Sequence, residues 1–201
     1  MIFAWLILYN GAYMKTNAGN LKKGDFITHN AEVWQVVKSE FYSPGKGSAV
    51  MRTKIKNIVS GKNIDFTFKS QETIETLEVN SIEMQYLYKD GQFVYFMNNQ
   101  DYQQYQLPLG LVGKMANYMK EGNAYYVYVH DEHPLNVRPS NSEKLLVTET
   151  EDAAKGDTVS GAKKSAIVET GATIMVPLFV KKGEVIAINP ETGEYVERVK
   201  S

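Results

Sequence analysis

Ser43-Pro44-Gly45-Lys46-Gly47-Ser48 separates two runs, Val33-Trp34-Gln35-Val36-Val37-Lys38-Ser39-Glu40-Phe41 and Ala49-Val50-Met51-Arg52-Thr53-Lys54-Ile55-Lys56. Both runs are rich in β-branched and aromatic residues, and a Pro and two Gly lie between them, which is the signature of a β-hairpin. Gly45 and Gly47 carry no Cβ to shield the lysine between them and accept backbone angles closed to other residues. The amine of Lys46 is therefore free to enter a narrow space. Nine residues at about 3.3 Å each give the leading strand a length of roughly 30 Å, a probe on a stalk. An ordinary solvated lysine on an exposed hairpin is the alternative. A phosphate-cradling loop is excluded, because that pattern needs Gly at position 40 and Ser or Thr after the lysine, where this chain has Glu40 and Gly47.

The chain has 201 residues, 43% hydrophobic and 22% charged, which is the composition of a globular protein of one to three domains. With no cysteine there is no disulfide framework and no thiolate metal site, and a reducing cytoplasm fits. Net charge is -1, but it is unevenly spread. Residues 14–76 carry ten Lys and Arg against six Asp and Glu, residues 77–139 four against seven, and residues 140–201 eight against ten. The basic third is also the one with the glycine-flanked lysine, so an RNA contact is expected at that end. Residues 1–13 hold no charge and are too few for a bilayer span, which needs about 20 residues. They also lack the basic start of a secretory signal. We read them as a translated leader ahead of a native start at Met14, with an anchor or early signal as the alternative.

Short alternating strands with close turns continue along the chain, which predicts an all-β protein of small barrels in tandem. The first, 14–76, includes Ile64-Asp65-Phe66-Thr67-Phe68 after the hairpin. In its second hairpin strand Arg52, Lys54 and Lys56 share one face with Val50 and are candidates to track phosphates, a solvated barrel face being the alternative. The second, 77–139, opens with an Asp90-Gly91 hairpin, holds one short helix beginning near Leu109, and ends with strands over 124–129 and 134–138. The third, 140–201, has strands over 143–150, 166–169, 173–180, 185–189 and 194–199, with a polar loop over 151–164. Pro177 predicts an edge or a bulge there. No catalytic constellation appears, so no enzyme, cofactor or metal is expected; His130-Asp131-Glu132-His133 reads as an exposed turn, with a ligand set as the lesser alternative. Tyr86, Tyr88, Tyr95, Tyr125, Tyr126 and Tyr128 either fill cores and cross-strand pairs or stack bases, and stacking would make the chain a generic single-stranded nucleic-acid binder.

Several longer motifs resemble bacterial elongation factor P from about residue 15 to the C-terminus. They are the tip Pro44-Gly45-Lys46-Gly47, the strand Arg52-x-Lys54-x-Lys56-Asn57, Thr67-Phe68-Lys69-Ser70, Tyr86-Leu87-Tyr88-x-Asp90-Gly91, and Ile174-Met175-Val176-Pro177-Leu178-Phe179-Val180. The resemblance implies an SH3-like (KOW-like) barrel followed by two OB-fold barrels in an L shape. It also implies binding to the ribosome between the peptidyl and exit sites, where peptidyl-tRNA is steadied at runs of proline. Lys46 would be the working residue; family members commonly extend it covalently, and lysine here is compatible with lysylation or an aminopentanol-type modification by a lysine-modifying enzyme. Gly156, Asp157 and Thr158 match a motif placed near the exit-site mRNA codon. Tyr195 and Arg198 match positions implicated in tRNA contact, although strict alternation puts them on opposite faces of a strand unless a bulge intervenes.

Overall fold

The computed structural model describes residues 13–151 and 162–199. Three antiparallel sheets account for most of them. The first has the order β1-β6-β2-β3-β4-β5, built from Met14–Asn17 (β1), Phe26–His29 (β2), Glu32–Tyr42 (β3), Val50–Asn57 (β4), Asn63–Lys69 (β5) and Thr73–Leu77 (β6). The second has the order β11-β10-β7-β8-β9, from Asn80–Lys89 (β7), Phe93–Asn98 (β8), Gln104–Pro108 (β9), Ala124–His130 (β10) and His133–Val137 (β11). The third has the order β14-β13-β12-β15-β16, from Glu143–Thr150 (β12), Lys163–Val168 (β13), Thr173–Pro177 (β14), Val185–Asn189 (β15) and Glu194–Arg198 (β16). Among the described residues a four-residue helix, Leu109–Val112 (α1), and two short 3-10 turns complete the set of elements. Each sheet curls into a nearly closed barrel, so the chain is all-β as its patterning predicts.

The first barrel buries Leu21, Ile27, Trp34, Val36, Met51, Ile55, Phe68 and Ile74 in one core. Alternation explains the selection: in β4, Met51, Thr53, Ile55 and Asn57 are buried while Arg52 and Lys54 face solvent. Strands β1, β6 and β9 are additions to the expected set: β9 alternates over Gln104-Tyr105-Gln106-Leu107 but is short, whereas β1 has no such pattern and is placed by its register with β6, from Met14 opposite Thr76 to Asn17 opposite Thr73. Helix α1 begins at Leu109 as the pattern predicts. Strand β14 is an edge strand that stops at Pro177, where the missing N–H ends the ladder, three residues short of the expected run.

Two compact units result: the described residues of Met1–Ile82 together with Val127–Asn136, and those of Glu83–Tyr126 together with Val137–Ser201. Within the second unit Tyr118 belongs to the same buried cluster as Leu145, Val147, Ile174, Val176, Ile186 and Ile188 of the third barrel. The Lys120 ammonium lies 2.9 Å from a Glu169 carboxylate oxygen, and the Thr170 hydroxyl donates to the Asn117 carbonyl at 2.8 Å. Tyr125 and Glu143 are buried beside that seam. Burial pushes the Tyr125 phenol up to about 12. The Glu143 carboxyl is likewise raised by burial, against the opposing pull of Ser140, Tyr125 and Lys120.

Candidate nucleic-acid interface

The tip is built from the β3–β4 pairing. Tyr42 opposes Val50, Phe41 opposes Met51 and Glu40 opposes Arg52, which leaves residues 43–49 as the connecting loop. Gly45, Lys46 and Gly47 are exposed, and Lys46 makes no hydrogen bond or ion pair among the described residues. Gly47 has φ +117°, a region that L side chains rarely adopt, whereas Gly45 needs no such freedom. Pro44 sits against the same turn, its Cγ 3.6 Å from where a Cβ on residue 47 would lie.

The leading strand β3 runs for eleven residues, Glu32–Tyr42, where the pattern predicts nine, and it does not stand alone. Strand β5 pairs along the whole of β4, from Val50 opposite Lys69 to Lys56 opposite Asn63, and the Ser70 N–H donates to the Ala49 carbonyl at 2.9 Å. A third strand therefore buttresses the hairpin up to its loop. Only residues 43–49 stand beyond the sheet.

Arg52, Lys54 and Lys56 do share the outward face of β4, and register adds two cations that sequence reasoning missed. A β-bulge between Val36 and Lys38 shifts the phase of β3, so Lys38 lies opposite Lys54 and faces out with it. Lys69 is brought to the same face by its pairing with Val50. Five cations, Lys38, Arg52, Lys54, Lys56 and Lys69, thus share a face with two carboxylates, Glu40 and Asp65. Glu40 is engaged by Lys38 at 3.6 Å, and the Arg52 guanidinium lies 4.3 Å above the Tyr42 ring. The remaining positive excess, with Lys46 at its rim, suits a polyanion.

At the other end of the chain a second bulge settles the Tyr195 and Arg198 question. Tyr195 opposes Ile188 and Arg198 opposes Ile186, with one extra residue of β16 between them, so the two side chains share a face. Tyr195 packs against the third core, and burial raises its phenol. Arg198 meets the Glu184 carboxylate at 3.1 Å and lies 5.8 Å from the Phe179 ring centroid. Gly156, Asp157 and Thr158 lie outside the described residues, as do residues 1–12 of the apolar start.

The six tyrosines divide. Tyr86 and Tyr125 are buried, Tyr128 packs edge-on to Phe26 at 5.2 Å, Tyr126 is exposed, and Tyr88 stacks on Tyr95 at 4.6 Å. Asp90 fixes that stack: its carboxylate accepts from the Gln92 and Phe93 N–H groups at 2.7 Å and from the Tyr95 hydroxyl at 2.9 Å. Those bonds, the Phe93 N–H foremost, hold Asp90 below the usual carboxylate range. His130 is buried, with Nδ1 2.8 Å from the Glu78 carbonyl, so the exposed turn is confined to Asp131, Glu132 and His133. His133 Nδ1 faces the Asp131 carbonyl, and among the described residues no three His, Cys, Asp or Glu side chains converge as a metal site. Among the described residues, too, no helix is long and apolar enough to cross a membrane.

Family models recognise each part of the chain: the elongation factor P KOW-like domain over residues 17–74, the elongation factor P OB domain over 79–137, and the elongation factor P C-terminal domain over 144–198. Fold and basic face thus define a translation factor of tandem small barrels. Elongation factor P of Acetivibrio thermocellus is 43% identical over 185 residues, covering 91% of this chain and 99% of that protein. Elongation factor P of Finegoldia magna is 41% identical, over 90% and 98%. Among solved structures, initiation factor 5A from Methanococcus jannaschii aligns at 20% identity and a TM-score of 0.45, covering 64% of this chain and 98% of its own. The chain belongs to the elongation factor P family and is a translation elongation factor.

Proposed function

We propose that this chain works in the cytoplasm on the ribosome, between the peptidyl and exit sites, and promotes peptide-bond formation at consecutive prolines by steadying peptidyl-tRNA with Lys46. The observation that carries the reading is the exposed Lys46 ammonium, on a loop buttressed by three strands and bordered by five cations, in a chain of this family. Proline is a rigid, poorly oriented partner in peptidyl transfer, so holding the acceptor end in the reactive geometry lowers the barrier without any bond being made by the factor. The chain acts here as a positioning device and needs no cofactor. Arg52, Lys54 and Lys56 supply phosphate contacts beside the tip. The chain is taken as three barrels, 14–76, 77–139 and 140–201; the first carries the tip, and in the third Gly156, Asp157 and Thr158 read the exit-site codon and Tyr195 with Arg198 touch tRNA. A lysine-modifying enzyme extends Lys46. Burial of Tyr86 and Tyr125 removes two of the rings that a generic single-strand binder would use.

Lys46→Ala should slow a reporter with three consecutive prolines by roughly tenfold, the equivalent of about 1.4 kcal/mol of positioning, and leave a proline-free reporter unchanged. Equal rates on both reporters would sink the reading. Peptide mass spectrometry of the protein from its own cells reads the state of residue 46 directly.

A further inference from the structure

The chain has three arginines, Arg52, Arg138 and Arg198. Each lies over an exposed aromatic ring of its own chain: Arg52 over Tyr42 at 4.3 Å, Arg138 over Tyr126 at 5.6 Å and Arg198 over Phe179 at 5.8 Å. The Tyr88–Tyr95 stack is an exposed aromatic surface of the second barrel, and no cation of the described residues covers it. Phe93 adjoins it, 6.4 Å from Tyr95, and Tyr88 keeps 48% of its surface exposed. The bulge between Tyr86 and Tyr88 is what turns Tyr88 onto the outward face beside Tyr95.

Charge decides what such a surface accepts. Asp90 stands at the edge of the stack with three of its roughly four acceptor positions filled, one by the Tyr95 hydroxyl, which tethers that ring and leaves one acceptor position. The neighbouring ammonium is withdrawn: Lys89 Nζ donates to the Ala116 carbonyl and to Asn117 Oδ1, both at 2.9 Å. A phosphate chain would meet a carboxylate here with no cation to receive it. A guanidinium would find a ring face to stack on and a carboxylate to pair with. We infer that the outward face of the second barrel around Tyr88, Tyr95 and Asp90 is a docking surface for an arginine-bearing segment of a protein partner. It is distinct from the Lys46 tip and does not depend on the role proposed for that residue.

The test uses the full chain and three fluorescent probes, octa-arginine, octa-lysine and a twelve-nucleotide oligouridylate, followed by anisotropy. Octa-arginine should bind more tightly than octa-lysine. Tyr88→Leu should weaken octa-arginine by about fivefold and Tyr88→Phe should leave it unchanged. Asp90→Asn should also weaken it; if that variant loosens the turn, as thermal unfolding would reveal, the Tyr88 pair alone decides. Equal binding of octa-arginine to Tyr88→Leu, parity between the two peptides, or oligouridylate binding that Tyr88→Leu abolishes would each overturn the proposal.

Discussion

At the scale of single residues, Gly47 is the position where the tip depends on backbone freedom rather than on a side chain. Its φ of +117° has no comfortable counterpart in alanine, so Gly47→Ala costs about 1–3 kcal/mol if the loop keeps its path. The loop is exposed and has open space around Gly45, so it should relax instead and re-aim Lys46. The expected outcome is a slower tri-proline reporter with little change in thermal midpoint; an unchanged reporter would show that the aim of Lys46 is not set by residue 47. Lys46 and its glycine flanks are legible in the sequence because their types alone carry the argument. Lys38 and Lys69 are not, since nothing local says which way they point. Their direction is fixed by pairing with residues 16 and 19 positions away.

Elements repeat the same lesson through bulges. A two-residue period places Tyr195 and Arg198 on opposite faces, and one extra residue in β16 brings them together, just as extra residues turn Lys38 and Tyr88 outward. A bulge leaves almost no mark in residue type, so faces were legible within uninterrupted strands such as β4 and illegible beyond a bulge. The turn before β16 carries its own constraint. Gly193 has φ +77°, its N–H donates to the Asn189 carbonyl at 2.7 Å, and a Cβ there would overlap the Tyr118 hydroxyl. Gly193→Ala should destabilise the protein by about 1–3 kcal/mol in denaturant unfolding. Adding Tyr118→Phe should recover part of the loss by removing the obstructing oxygen, while the backbone strain stays. No loss at all in the single variant would contradict this packing.

For the whole molecule, the barrel count and the order of the barrels were legible, because turn residues punctuate the alternation clearly. The union of the second and third barrels was not, since it rests on Tyr118 entering a core contributed by distant strands. Beside that seam Glu143 gives the protein a pH signature. Its carboxyl is raised in the fold by burial, so folding favours its protonated form relative to the unfolded chain. The corresponding stability is fully present below the ordinary glutamate pKa and is lost as pH rises through the folded value. Glu143→Gln should therefore gain on the parent protein as pH climbs from mildly acidic to neutral, with the two converging at low pH. Unfolding curves across that range measure it, and a constant difference between the proteins would refute it.

Strand β5 has one further consequence. Because it braces the hairpin up to the loop, the strands behind Lys46 are held in one sheet, and under the role proposed for that residue any additional reach would have to be grafted onto the amine itself. On the role proposed for Lys46, the length of the tool would be set by chemistry on residue 46, while the scaffold behind it stays the same.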